Sequence, residues 1–281
     1  MWQLLALLSS VLAEDCTSPY QSPIDITGPF VYETPDFEFY LSAQAGAVMY
    51  HDGDVLQIDG DFGGLRFNNS WFMSNEIQFR SPSEHTLSGH QMPLEMQVYF
   101  NDQYGNFAAL VLFYTNSTYE GTFLNQIGFG NPRLKDAEVN TIFEIQSPVD
   151  LHELLGDVKK FLFYTGSTTS GDCKANTTWI ILPDTLKISE SQYENFPSVL
   201  RNKIRSQQSM NGRSVKANFD TTKESSKGTE KTDSYTEVDR SAIESLSTGK
   251  SEKPVNDAFI IDQKAKYVED YPDAETSYID S

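Results

Sequence analysis

The sequence predicts a mainly β domain with a few short surface helices, followed by a disordered acidic tail. Three observations lead there. Apolar and aromatic residues recur in short bursts between turn residues. Helical periodicity is sparse. Composition changes abruptly after residue 221.

From the N-terminus, residues 1–13 read MWQLLALLSSVLA. The apolar run is too short for a bilayer, and Val11-Leu12-Ala13 places small residues before Glu14. It reads as a secretory signal peptide whose only positive charge is the α-amino group. No later stretch reaches ~18 consecutive apolar residues, so no membrane span is expected. Residues 14–221 form the expected domain. Its strand bursts include Val55 to Ile58, Leu94 to Phe100, Ala108 to Tyr114, Lys160 to Tyr164 and Trp179 to Leu182. Asp61-Phe62-Gly63-Gly64 and Gly128-Phe129-Gly130-Asn131 read as turns. Val149 to Leu155 and Ser189 to Leu200 are the best helix candidates.

Residues 222–281 contain fifteen Ser or Thr, 14 acids and 8 bases, with no Cys or Trp. Such a segment buries too little apolar surface to offset its ordering entropy. Ala258-Phe259-Ile260-Ile261 is its one apolar patch, and Tyr267 and Tyr271 sit among acids.

The whole chain has a formal net charge of −19, with 40 acids against 21 Lys and Arg. Residues 1–221 hold 26 of those acids and 13 of the bases, so the domain itself carries −13. Nucleic acid and anionic lipid are therefore excluded as partners. Cys16 and Cys173 in an oxidising compartment suggest a disulfide. Closing a loop across 157 positions stabilises by about 4–5 kcal/mol in the chain-entropy model. Asn68, Asn116 and Asn176 open glycosylation sequons. Phosphate-loop, nucleophile-elbow and His-Glu-x-x-His patterns are absent from the sequence.

Four ordered strings carry a resemblance. They are Gln21-Ser22-Pro23-Ile24-Asp25-Ile26, then Ser81-Pro82-Ser83-Glu84-His85-Thr86 followed by Leu94-Glu95-Met96. Next comes Gly166 to Thr169 through Cys173 to Thr178-Trp179-Ile180-Ile181-Leu182, and last Arg205, Gln208 and Asn211-Gly212-Arg213. Together they resemble the α-class carbonic anhydrases over residues 16–219. The resemblance implies a ten-stranded, largely antiparallel twisted sheet with short surface helices. It also implies a Cys16–Cys173 disulfide, as in extracellular members.

The resemblance fails at the chemistry. The family hydrates carbon dioxide with a zinc-bound hydroxide held by three histidines. Two alternate on one strand, and the third lies on its neighbour. Here those positions fall on Gln78, Arg80 and Gln97. An amide oxygen is a weak zinc donor beside imidazole, and a guanidinium has no free lone pair and repels a dication. No zinc or other cofactor is expected, and no catalytic residue is assigned. The usual proton-shuttle histidine falls on Asp54. His85 matches a structural histidine, while His51, His90 and His152 read as isolated residues in loops or helices.

The surroundings of the site are retained. Glu84 and Thr169 match the pair that orients the hydroxide, Glu95 the carboxylate behind the third histidine, and Trp179 the floor of the cone. Arg80 is expected either to pair with Glu84 or Glu95, or to fill the vacated position beside ordered water. The leading functional expectation is a secreted, inactive carbonic anhydrase-like recognition module, a pseudoenzyme. Its partner is an extracellular protein or glycan, favoured if basic, and its oligomeric state is left open. Two alternatives stand beside it: an active zinc enzyme with an atypical site, and an acidic extracellular matrix protein. Binding of a small anion by Arg80 with the amides of Gln78 and Gln97 is a further idea.

Overall fold

The computed structural model describes residues 16, 18–156 and 158–221. The expected signal peptide, the Ser/Thr-rich tail with Ala258–Ile261, and Tyr267 to Tyr271 lie outside the described residues. Strands β1 (Asp25–Ile26), β2 (Val31–Tyr32), β3 (Phe37–Leu41), β4 (Val48–His51), β5 (Leu56–Asp59), β6 (Gly63–Phe67) and β7 (Ser70–Arg80) come first. Next are β8 (Thr86–Leu87), β9 (His90–Gln91), β10 (Leu94–Asn101), β11 (Phe107–Ser117) and helix α1 (Thr122–Ile127). After them come β12 (Phe143–Glu144), helix α2 (His152–Leu155), β13 (Leu162–Ser167), β14 (Ala175–Ser189), helix α3 (Glu190–Asn195) and β15 (Lys216–Ala217).

Ten strands form one continuous path, β12-β4-β5-β7-β10-β11-β14-β13-β15-β2, and β3 and β6 branch off β7. Only β11–β14 and β15–β2 pair parallel along that path, so the sheet is largely antiparallel. A second small sheet joins β1, β8 and β9.

Alternation along the strands gives the sheet two buried faces. Ile77 and Phe79, Met96 and Val98, Leu110 and Leu112, and Ile180 and Leu182 enter the larger core. Tyr99, Ala109, Val111, Phe113, Trp179, Ile181 and Tyr164 form a second cluster on the opposite face. Burial on both faces explains why β11 reads as an unbroken apolar run. The candidate site lies on the second face, where β5, β7 and β10 turn polar.

Several elements differ from the sequence reading. Gly63 and Gly64 open β6 rather than forming a turn. A Cβ at Gly63 would lie 2.1 Å from the Tyr40 carbonyl oxygen, and one at Gly64 2.6 Å from that of Phe72. These glycines serve close backbone approach inside a sheet. β13 starts at Leu162, two residues late. β14 continues past Pro183 to Ser189, because that proline sits where the register slips between Val111 and Phe113. Only His152–Leu155 of the first helix candidate is helical. The second becomes α3, opened by a capping box between Ser189 and Gln192, then a 3-10 turn at Ser198–Leu200 after Pro197. His51 and His90 lie on strands β4 and β9, not in loops or helices. Cys16 and Cys173 form a disulfide.

Candidate functional site

Strand registry aligns the polar side chains in rows. Gln57, Gln78 and Gln97 stand abreast on β5, β7 and β10, with Tyr50 of β4 at the outer end. Beyond Gln97 the same row continues as Val111, Ile181 and Leu162. A second row runs Asp59, Glu76, Tyr99, Ala109, Trp179 and Tyr164. Arg80 faces Glu95 in a third. The first two rows therefore pass from polar at β4–β5 to largely apolar at β13–β14.

Alternation on β7 places Gln78 and Arg80 on one face, with Gln97 opposite Gln78. The three side chains proposed to replace the metal ligands are thus neighbours, and each is buried. The Arg80 guanidinium donates to the Gln78 Oε1 at 3.0 Å and to the Asp54 carbonyl at 3.1 Å. Its Nε stands 3.6 Å from the Glu84 Oε1, an ion-pair contact too long for a hydrogen bond, and has no hydrogen-bond partner. Of the two partners expected for Arg80, Glu84 is the one engaged. Glu95 sits across the ladder but is committed elsewhere.

Gln97 bridges both carboxylates. Its Nε2 donates to Glu95 Oε1 at 2.7 Å and to Glu84 Oε2 at 3.1 Å. Its Oε1 accepts from the Tyr99 hydroxyl at 2.8 Å and from Thr169 Oγ1 at 3.5 Å. Glu84 and Thr169 therefore meet through Gln97. Glu84 also accepts from the Arg205 backbone N–H at 3.0 Å.

Behind this row, Glu95 accepts from the His85 backbone N–H and from its ring Nδ1, each at 2.8 Å. Burial alone would raise the Glu95 carboxyl, but His85 and the Gln97 amide outweigh it and hold the group below its usual range. His85 Nε2 lies 2.7 Å from the Tyr164 hydroxyl, which lies 2.8 Å from Ser22 Oγ. Trp179 packs against His85 with ring centroids 4.6 Å apart, stacks on Tyr164 at 6.3 Å, and donates from Nε1 to the Ser167 carbonyl at 2.8 Å. The Arg205 guanidinium donates to the Ser22 carbonyl and to Gln21 Oε1, each at 2.7 Å, tying the N-terminal string to the closing segment.

Toward β4 and β5 the site is acidic. Burial pushes the Glu76 carboxyl up, and the charges of Asp59 and Asp52 add to this against Gln78 and Arg80. Burial, then the facing Asp59, pushes the Tyr50 hydroxyl up to about 12. Asp54, which replaces the expected shuttle, is exposed, and its carboxylate stands 3.8 Å from Lys203 Nζ.

The chemistry of the donor set does not fit a zinc ion. Both polar atoms of Gln97 are engaged, Gln78 Oε1 accepts from a guanidinium, and Arg80 brings a permanent positive charge. No histidine stands in for a ligand. His85 serves Glu95, His51 Nε2 contacts the Ala137 carbonyl, His152 contacts Asp150 and His90 is exposed. The anion idea meets the same obstacle, because the Gln97 amide nitrogen points at carboxylates.

The structure brings Gln78, Arg80, Gln97, Glu84, Glu95, Thr169 and Trp179 into one buried cluster. The three sequon asparagines lie apart from it and are exposed. Sequence reasoning gave no role to Tyr99, Tyr164, Ser22 or Arg205. Tyr99 was within reach, since it follows Gln97 by two residues on the same strand face.

The family model for eukaryotic-type carbonic anhydrase matches residues 9–219. Carbonic anhydrase 6 of Bos taurus is 26% identical over 245 residues, covering 73% of this chain and 75% of that protein. Receptor-type tyrosine-protein phosphatase zeta of Homo sapiens is 27% identical over 220 residues, which is 66% of this chain but 9% of that protein. Among solved structures, the alpha-carbonic anhydrase of Photobacterium profundum superposes with a TM-score of 0.64 at 21% identity. That match covers 71% of this chain and 90% of that one.

Proposed function

The chain belongs to the eukaryotic-type carbonic anhydrase family, and from that membership we propose that it is an extracellular, catalytically inactive binding module. The observation that carries the proposal is Arg80. Its guanidinium shares the strand face of Gln78 and Gln97, bonded to Gln78 and paired with Glu84. Hydration in this family needs a metal-activated hydroxide, and the side chains at these positions supply a cation and two committed amides instead. The inactive reading rests on that chemistry of the donors.

The disulfide between Cys16 and Cys173 supports the extracellular assignment. Among the described residues no helix is long and apolar enough to cross a membrane. The match to a small part of a protein named as a receptor supports use of the frame as a module. A net charge of −19 favours a basic protein surface as partner.

The test is zinc content of the purified full chain by elemental analysis, with carbon dioxide hydration followed by stopped flow with and without chelator. Zinc far below one per chain and hydration at the buffer rate are expected. Stoichiometric zinc with chelator-sensitive turnover would return the chain to the enzymes.

A further inference from the structure

A groove of about 590 Å³ opens on the surface far along the sheet from Arg80. That volume lies in the range of ordinary ligand pockets. Two sequons, more than 100 residues apart in the chain, meet on its rim. Asn68 and its hydroxyl partner Ser70 line one side, and Asn176 and Thr178 line another.

The backbone presents both asparagines outward. Asn68 and Asn69 form the two-residue turn between the paired residues Phe67 and Ser70, with φ of 47° and 65°. Such a turn needs left-handed residues at both positions, and Asn tolerates that conformation. On the other side, Gly166 pairs with Thr177 and Ser167 with Ala175, which leaves Asn176 as the unpaired residue of a bulge at φ 60°. Both asparagines are exposed, and while the Asn68 backbone N–H donates to the Asp36 carbonyl, among the described residues no hydrogen bond engages either side-chain amide. The third sequon lines a different cleft, of about 690 Å³, with Pro82 and Tyr193.

The groove's walls suit a sugar. Tyr20 is 50% exposed there, and the edges of Phe67 and Phe163 complete an apolar strip. Arg213 lies over the Tyr20 ring at 5.8 Å and is fixed by bonds to the carbonyls of Thr165, Ser209 and Met210. Three of its five N–H donors are used there, leaving two for hydroxyl oxygens.

We infer that Asn68 and Asn176 are a paired N-glycosylation site whose attached oligosaccharides cover this groove, so that the partner surface lies elsewhere. In the modification, Asn Nδ2 gives up a proton and forms a C–N bond to the anomeric carbon of a lipid-diphosphate-linked oligosaccharide. The C–O bond to the diphosphate breaks, and the lipid diphosphate leaves with the bonding pair. The inference rests on the extracellular part of the proposed function.

The test uses the full chain secreted from a glycosylating eukaryotic cell. Peptide mass mapping reads occupancy of each sequon. Hydroxyl-radical footprinting then compares Tyr20 with the exposed Tyr119, which lies past the Ser117 end of β11 whereas the groove-lining Thr178 pairs with Ala108 at the other end, in the native protein and in a Ser70→Ala/Thr178→Ala variant. That variant removes both glycans but keeps both asparagines. The expected result is modification of Asn68 and Asn176 in the same molecules, with oxidation of Tyr20 relative to Tyr119 several-fold higher in the variant. Secreted, disulfide-bonded protein bare at either asparagine would overturn the inference while leaving the extracellular reading intact. So would full occupancy with unchanged Tyr20 oxidation, since the sugars would then point to solvent. A chain retained in the cell and bare at both sites would overturn both readings.

Discussion

Arg80→Leu tests whether the guanidinium holds the buried cluster together. The replacement removes the donors to Gln78 Oε1 and the Asp54 carbonyl, and removes the cation 3.6 Å from Glu84. Gln78 Oε1 then sits buried without that donor, which costs about 1–3 kcal/mol. Breaking a buried ion pair by deleting one member costs about 3–5 kcal/mol. The long Nε–Oε1 separation and the donors that Glu84 keeps from Gln97 and Arg205 place the total toward the lower end. About 4 kcal/mol of destabilisation is therefore expected from urea unfolding of the full chain, with an unchanged m-value. Neutralising the stranded charge should recover part of it, so Arg80→Leu/Glu84→Gln is expected to be about 1–2 kcal/mol more stable than Arg80→Leu alone. A neutral or stabilising Arg80→Leu, with additive effects in the double variant, would refute a paired Arg80 and favour one that merely fills space.

Other perturbations read the same structure. Glu95 titrates below its usual range, so its contribution is present above the unfolded pKa of about 4.3 and is lost as pH falls through the lower folded value. Glu95→Gln should therefore flatten the acid limb of stability against pH. Glu76 is raised, so its ionised form is disfavoured in the fold and stability falls as pH rises from about 4.3 through the folded pKa. Glu76→Gln should gain stability at pH 7 and change little at pH 3, and urea midpoints across that range check both. Cys16→Ser/Cys173→Ser should cost about 4–5 kcal/mol in the chain-entropy model, read from urea unfolding of the oxidised parent and the variant. Gly64→Ala should cost about 1–3 kcal/mol, because the new Cβ would meet the Phe72 carbonyl at 2.6 Å and this obstacle is backbone.

The strand pattern of the central sheet was legible because its signals are local. β10 and β11 carry apolar residues on both faces, and period-two alternation alone puts Gln78 with Arg80 and Gln97 with Glu95. What sequence could not give was the pairing of donors with acceptors. His85 and Tyr164 meet across 79 positions, and Ser22 and Tyr164 across 142, through folded registry rather than spacing. Gly63 and Gly64 misread as a turn because close approach to Tyr40 and Phe72 is a tertiary demand made by distant strands. The apolar burst ends at Leu182, yet β14 runs on to Ser189 because the bulge opposite Val111 and Phe113 accommodates Pro183, which no local pattern signals.

Gln97 explains how two buried carboxylates can lie side by side in a cluster whose chemistry does not fit a dication. Glu84 and Glu95 are 2% and 0% exposed, and burying such charges demands compensation. Arg80 contributes one positive charge to Glu84, and His85 contributes two N–H donors to Glu95. The gap between the carboxylates is filled by one amide nitrogen with two protons, one for each. A leucine at 97 would supply neither proton, while a glutamate would add a third negative charge. The amide oxygen, meanwhile, fixes Tyr99 and Thr169. Gln97→Leu should therefore destabilise more than Gln78→Leu, because Gln78 meets one guanidinium and the partly buried Glu76 whereas Gln97 serves two fully buried acids. Equal losses in urea unfolding would show that the two glutamines are interchangeable filler and that the carboxylates are satisfied by other groups.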